Sequence, residues 1–222
     1  MRTMIRKTIE PRQLIILISL LVTINSGGIC QCFDGGVLAG GLISQVDGDN
    51  WEGYNKLGYM AGGFVQLELS KHSSLQLEME YIQKGSRKPA NADSGDYYSY
   101  LLRLHYLEIP LLYQFAFLKR FSVEAGPAID VLLGYSEQGD GQEVPNKYPI
   151  RRVTLAGILG VSGYITRHLK ATFRMNYSLL SLRVPVDNPP APPWRKIFFE
   201  VGQYNNVLSL SLSYQFKGRK NW

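Results

Sequence analysis

Cysteine is almost missing from this chain: two residues in 222, Cys30 and Cys32, set close together near the amino end. Two thiols at that place cannot staple a core, so a disulfide-framework fold is excluded. Histidine is nearly as scarce, and His72, His105 and His168 lie far apart with no metal-ligand spacing. Beyond residue 24 no apolar run is long enough to span a bilayer as a helix. Charge of one sign is also weak. The formal charge is +6, but Arg2, Arg6, Lys7 and Arg12 against Glu10 account for half of it, leaving about +3 for the rest. So mild an excess argues against nucleic acid as a partner and against a polybasic membrane-surface segment.

The amino end has a secretory pattern. A basic n-region precedes an uncharged run over 14–24, and Ser26-Gly-Gly28 supplies small residues. The run is too short for a comfortable transmembrane helix, so 1–30 is expected to be a cleaved signal peptide and 31–222 the exported domain. Cleavage after Gly28 or after Cys30 fits. A lipoprotein needs a small residue just before the cysteine, whereas Ile29 and Gln31 stand there.

What is abundant is alternation. In the closing segment Leu208, Leu210, Leu212, Tyr214 and Phe216 take one face, and Ser209, Ser211, Ser213 and Gln215 the other. Successive side chains of a strand point to opposite faces, so this segment is greasy on one side and polar on the other. The same period recurs along the chain. Strands are expected at 33–46, 57–69, 75–81, 103–117, 121–136, 152–165, 169–183 and 206–216. Pro110 sits awkwardly within the fourth, since it removes a ladder donor.

Tight connections at 71–74, 118–120 and 166–168 alternate with long, turn-rich ones at 47–56, 85–100, 137–150 and 184–205. In an up-and-down meander this puts every short turn at one end and every long loop at the other, as in bacterial outer-membrane barrels. The polar faces carry Glu68, Glu78, Glu80, Glu108, Glu124 and Asp130 with Lys170, Arg174 and Arg152. Such residues are almost never fully buried unless paired, and a narrow barrel lets them pair across its lumen. The predicted fold is therefore all-β, an eight-stranded antiparallel up-and-down transmembrane β-barrel. Eight strands enclose a space that side chains fill, which argues against a diffusion porin.

Several stretches then carry a resemblance. Ser44-Gln-Val-Asp-Gly-Asp49 with Gly53-Tyr-Asn-Lys-Leu-Gly58, Gln83-Lys-Gly-Ser86, Tyr106-Leu-Glu-Ile-Pro-Leu-Leu112 and Glu124-Ala-Gly-Pro127 occur in order. Together they resemble the PorT-like outer-membrane β-barrel family of Bacteroidetes, over essentially the whole exported chain. The resemblance implies an eight-stranded outer-membrane barrel in which Pro110 is an expected member of the pattern. Its namesake takes part in type IX secretion, but a shared fold does not transfer that role. Lys217 to Trp222 extends past Phe216, so either aromatic residue can serve as the terminal insertion signal.

The candidate site is a charge network inside the barrel formed by Glu78, Glu80, Glu108, Glu124, Lys170 and Arg174, expected to specify register more than to add stability. No catalytic residue, cofactor or metal is expected. His105 with a rim Ser such as Ser99 imitates a lipid-modifying hydrolase, yet nothing supplies an acid partner or a nucleophile elbow. Asp47-Gly-Asp49 and Gly139-Asp-Gly141 lack the remaining ligands of a Ca²⁺ loop and read as turn chemistry. The Pro-rich 189–193 stretch stiffens a surface loop, and Pro193-Trp194 offers an edge for a partner. The expected role is a non-enzymatic outer-membrane barrel in contact with outer-membrane lipid and with envelope or secretion proteins. A lipid-modifying enzyme, a narrow channel and a soluble ligand-binding barrel are the alternatives.

Overall fold

The computed structural model describes residues 33–49, 53–91, 95–144, 149–183 and 202–217. The expected signal peptide and its cleavage point, both cysteines, residues 189–193 and Trp222 lie outside them. The described chain forms β1 (Phe33–Asp47), β2 (Lys56–Glu68), β3 (Ser73–Lys88), β4 (Tyr100–Ala116), β5 (Phe121–Gly139), β6 (Gln142–Glu143), β7 (Val153–Tyr164), β8 (Leu169–Ser178) and β9 (Tyr204–Gln215).

Each long strand pairs antiparallel with the next, and β9 pairs back onto β1, which closes the sheet. The ring is an eight-stranded antiparallel up-and-down barrel, as the alternation predicts; β6 is only a short arm on the end of β5. Its register is staggered. Stepping across paired residues from Phe33 leads through Leu67, Leu75, Tyr113, Ala125, Leu159, Met175 and Leu208 to Ile43, ten residues further along the starting strand. A stagger of this kind tilts the strands against the barrel axis. Every residue on that path is apolar.

Closure removes the sheet edges and leaves two faces to fill. The outward one is apolar and uncovered: Leu159 is 64 % exposed, Leu210 62 %, Met79 57 % and Phe173 51 %. Near the tight turns it ends in Phe33, Phe115, Phe117, Phe121, Tyr214 and Phe216; near the long loops it ends in Tyr59, Tyr81 and the stacked pair Tyr177–Tyr204. An apolar band between two aromatic girdles is the outer surface of a membrane barrel. A soluble ligand-binding barrel would turn the greasy face inward, and this one does not.

The tight turns fall where expected, with Leu69 N–H donating to the Ser73 carbonyl, Leu118 N–H to Phe121 and Thr166 N–H to Leu169. Strand ends at the loop side differ from expectation. β3 runs on to Lys88 and β5 to Gly139, where Asp140 (φ 51°) and Gly141 (φ 76°) make the two-residue turn into β6. β8 stops at Ser178, five residues short of the expected 183. There Leu182 leaves the ladder and folds over the mouth, its N–H donating to Gln203 and its carbonyl accepting from Arg151. Pro110 lies inside β4 with its ring in the lumen, and the β3–β4 pairing skips the step at which it would face Glu78.

Candidate functional site: the barrel lumen

Period-two alternation on eight strands delivers a full set of polar side chains to the axis, and they pack in tiers. Next to the tight turns, Gln215 donates to Gln66 at 2.8 Å, Gln66 to Ser74 at 2.7 Å, and Ser122 and Ser162 share a 2.7 Å bond. This tier floors a cavity of about 320 Å³ that opens among the turns and is lined by Asp34, Glu68, His72 and Tyr164.

The middle tier belongs to Arg174. Its terminal nitrogens lie 2.7 and 2.6 Å from the two oxygens of Glu78, and its Nε lies 2.5 Å from Glu124. Gln114 ties this group to its surroundings, donating to Glu124 at 2.9 Å and to Gln76 at 2.8 Å. A planar guanidinium serves two carboxylates at once because its donors are fixed in a fork.

One tier further on, Lys84 is the centre. It contacts Glu108 and lies 2.8 Å from Asp130, with all three side chains buried. Asn176 donates to both Glu108 oxygens at 2.8 and 2.9 Å. Lys84 also sits over the Tyr106 ring, 5.6 Å from its centroid. Beyond Tyr106 the lumen turns apolar: Leu42, Val46, Met60, Ile82, Leu102, Leu104, Leu182 and Val207 form one buried cluster under the long loops.

The structure therefore brings together Arg174, Glu78 and Glu124 of the expected network. It places Glu108 with Lys84, a residue the sequence reading assigned only to the family motif. It joins Lys170 through Gln76, which bonds both Lys170 and Glu78, and sets the Lys170 ammonium over the Phe64 ring at 5.9 Å. Glu80 is buried opposite Glu108 and Gly62, within the electrostatic reach of Arg174 and Lys84 and with its Oε2 without a hydrogen bond. Glu68 and Arg152 lie at the two ends of the inner face and outside the network, Glu68 lining the turn-side cavity. Glu68 is the exposed last residue of β2 at the turn rim, and Arg152 is exposed just before β7 begins. The missed signal for Lys84 was the alternation itself, which continues from Gln76, Glu78 and Glu80 through Ile82 and Lys84 to Ser86.

The hydrolase-like pair is not assembled. The His105 Nδ1 meets the Tyr81 hydroxyl at 2.5 Å on the outer wall, while Ser99 donates its N–H to Asp140 at the rim. His72 lies at the turn-side cavity, and His168 stacks on Tyr214. Among the described residues no group of three or more His, Cys, Asp or Glu is placed to hold a metal. What the lumen does chemically is close the barrel: two buried cations each bridge two carboxylates, under an apolar cap.

A closed barrel with an apolar belt and a packed charged interior defines an outer-membrane-type β-barrel protein. Residues 32–183 match the family model described as outer membrane protein beta-barrel domain, and the chain belongs to that family. Among solved structures, Neisserial surface protein A (NspA) is similar at a TM-score of 0.53, with 11 % identity, covering 82 % of this chain and 97 % of that one. Ail, the attachment invasion locus protein of Yersinia pestis, gives a TM-score of 0.44 and 12 % identity, covering 82 % of this chain and 98 % of that one. The likeness to NspA is one of fold. No curated protein matches the chain by sequence.

Proposed function

We propose that this is a non-enzymatic outer-membrane barrel of the PorT-like kind that acts as an accessory to protein secretion or envelope assembly. Its long loops would face the outside, its tight turns the periplasm, and both would be offered to partner proteins. One observation carries this reading: the lumen is filled. With Arg174 bridging Glu78 and Glu124, Lys84 bridging Glu108 and Asp130, and Leu182 in the apolar cap, solute has no open path through the described interior. A filled lumen would leave the two rims of the barrel as its working surfaces. The turn side offers a cavity beside Lys71 and His72.

Two measurements test the proposal. Purified protein in planar bilayers is expected to stay silent; steady single-channel conductance would replace this reading with a narrow channel. A photo-crosslinker at Lys71 or at Tyr97 in the living envelope is expected to capture discrete envelope proteins. Failure to crosslink from either rim would leave no accessory role to defend.

A further inference from the structure

Near the loop end the apolar band of the outer wall gives way to positive charge. There Arg87 of β3 and Arg103 of β4 both point outward, on neighbouring strands and close in register, since Arg87 pairs with Leu101 and Arg103 with Gly85. Gly85, opposite Arg103, has φ 143°. Lys56 at the start of β2, itself largely buried, lines a concavity with these arginines, its Nζ 3.1 Å from the Gln83 side-chain oxygen and 2.5 Å from the Leu57 carbonyl. The resulting concavity, about 370 Å³, is lined by Lys56, Leu57, Gln83, Arg87, Leu101 and Arg103. Among the described residues three cations share it and no acid does. The nearby acids are engaged elsewhere: Asp96 pairs with Lys88, and Glu137 with Arg183 and Tyr100.

We propose that Lys56, Arg87 and Arg103 form a docking site for the phosphate of an anionic glycolipid in the leaflet that surrounds the loop end of the barrel. Clustered like charges repel one another, and most strongly beside a low-dielectric wall; a phosphate relieves this through charge-assisted hydrogen bonds, for which the guanidinium fork is well shaped. The surface below the site argues for a lipid in particular. Tyr59, Tyr81 and His105 form a polar-edged aromatic step, with the two tyrosine rings 5.6 Å apart and Tyr81 bonded to His105. Below them lie Met79 and Leu107 on the same outer face, paired strand to strand with the greasy belt. A headgroup seated on the arginines thus has its acyl chains running down an apolar wall.

The inference rests on the outer-membrane reading, and its test keeps the two apart. The full exported chain is refolded in detergent, and a heat-dependent gel shift first establishes the closed barrel. Native mass spectrometry then compares a phosphorylated lipid A glycolipid, the same glycolipid after phosphatase treatment, and inorganic phosphate alone. The phosphorylated glycolipid is expected to bind, with the dephosphorylated form weaker by roughly tenfold or more, the size of one or two charge-assisted hydrogen bonds. The Arg87→Gln/Arg103→Gln double variant should show the same loss, while Lys119→Gln at a tight turn should bind like the parent. Equal binding of the two glycolipid forms to the unaltered protein would overturn the proposal without recourse to any variant. So would inorganic phosphate binding as tightly as the lipid, which would mark a site for free anions.

Discussion

Arg174 on β8 meets Glu78 on β3 across the full width of the lumen, two hydrogen bonds of 2.7 and 2.6 Å joining opposite walls of the ring. Neither residue is near the other in sequence, and no ladder connects them directly. The pair is a tie between distant strands, and it works only in the register observed.

Removing one end of that tie should be costly. Arg174→Ala leaves Glu78 and Glu124 buried without a cation, and loss of one partner of a buried pair typically costs about 3–5 kcal/mol. Urea unfolding of the refolded barrel, followed by the gel shift, reads this as a lower midpoint. The double variant Glu78→Gln/Glu124→Gln in an Arg174→Met background should recover much of the loss, because a neutral core needs no counter-ion. If Arg174→Ala unfolds at the parental midpoint, the tie contributes nothing.

The outer wall makes the opposite kind of prediction. Leu159 and Leu210 face outward in the middle of the belt, and a soluble protein would tolerate Arg at such exposed positions. In a bilayer, Leu159→Arg at mid-depth should cost about 2–4 kcal/mol. Comparing folding of Leu159→Arg into lipid vesicles with that of the turn-rim variant Glu68→Arg separates depth from charge. Equal folding of the two would contradict the lipid-facing assignment.

Much of this wall was legible beforehand. Where one face is apolar and the other polar, as in β9 and in β8 as far as Ser178, the period-two pattern sorts the side chains between the two faces as the structure has them. It weakened toward the loop end for a physical reason. There the lumen changes from polar to apolar, so Leu101, Leu102, Leu104 and Leu107 are greasy on both faces and the alternation vanishes. For the same reason β4 begins earlier than expected, and Lys84, beyond the apolar Ile82, was not recognised as an inward residue. Leu182 misled in the other direction, since a greasy residue after a regular strand reads as more strand when it is in fact a cap. Which carboxylate meets which cation depends on stagger, and stagger is fixed by pairings between strands that no local pattern encodes.

Gly85 offers a backbone test. At φ 143° an L side chain is strained, and a Cβ there would lie 2.0 Å from the Leu102 carbonyl oxygen. Gly85→Ala is expected to lose about 1–3 kcal/mol, with the damage centred on the β3–β4 ladder. Hydrogen exchange of Arg103 and His105 amides against those of β8 would show it; unchanged protection of β4 would count against the strain.

The loop after β3 should respond to acid. Lys88 sits 2.5 Å from Asp96, and this contact together with the Tyr98 N–H holds the Asp96 carboxyl below its usual range. A carboxyl depressed in the ordered loop supports that order above its unfolded value, about 3.9, and the support fades as pH falls through the lower folded value. Amide resonances of Asn91 and Asp96, which bridge each other, are expected to broaden only on strong acidification. Loss of the bridge near pH 6 would point to some other group.

The most direct measurement is made on cell envelopes, with the outer-membrane fraction run unboiled and boiled on an SDS gel. A closed eight-stranded barrel tied across its lumen by Arg174 and Glu78 should appear in that fraction and resist SDS until heated, changing mobility on boiling. Recovery in the aqueous fraction, with identical mobility before and after heating, would contradict it.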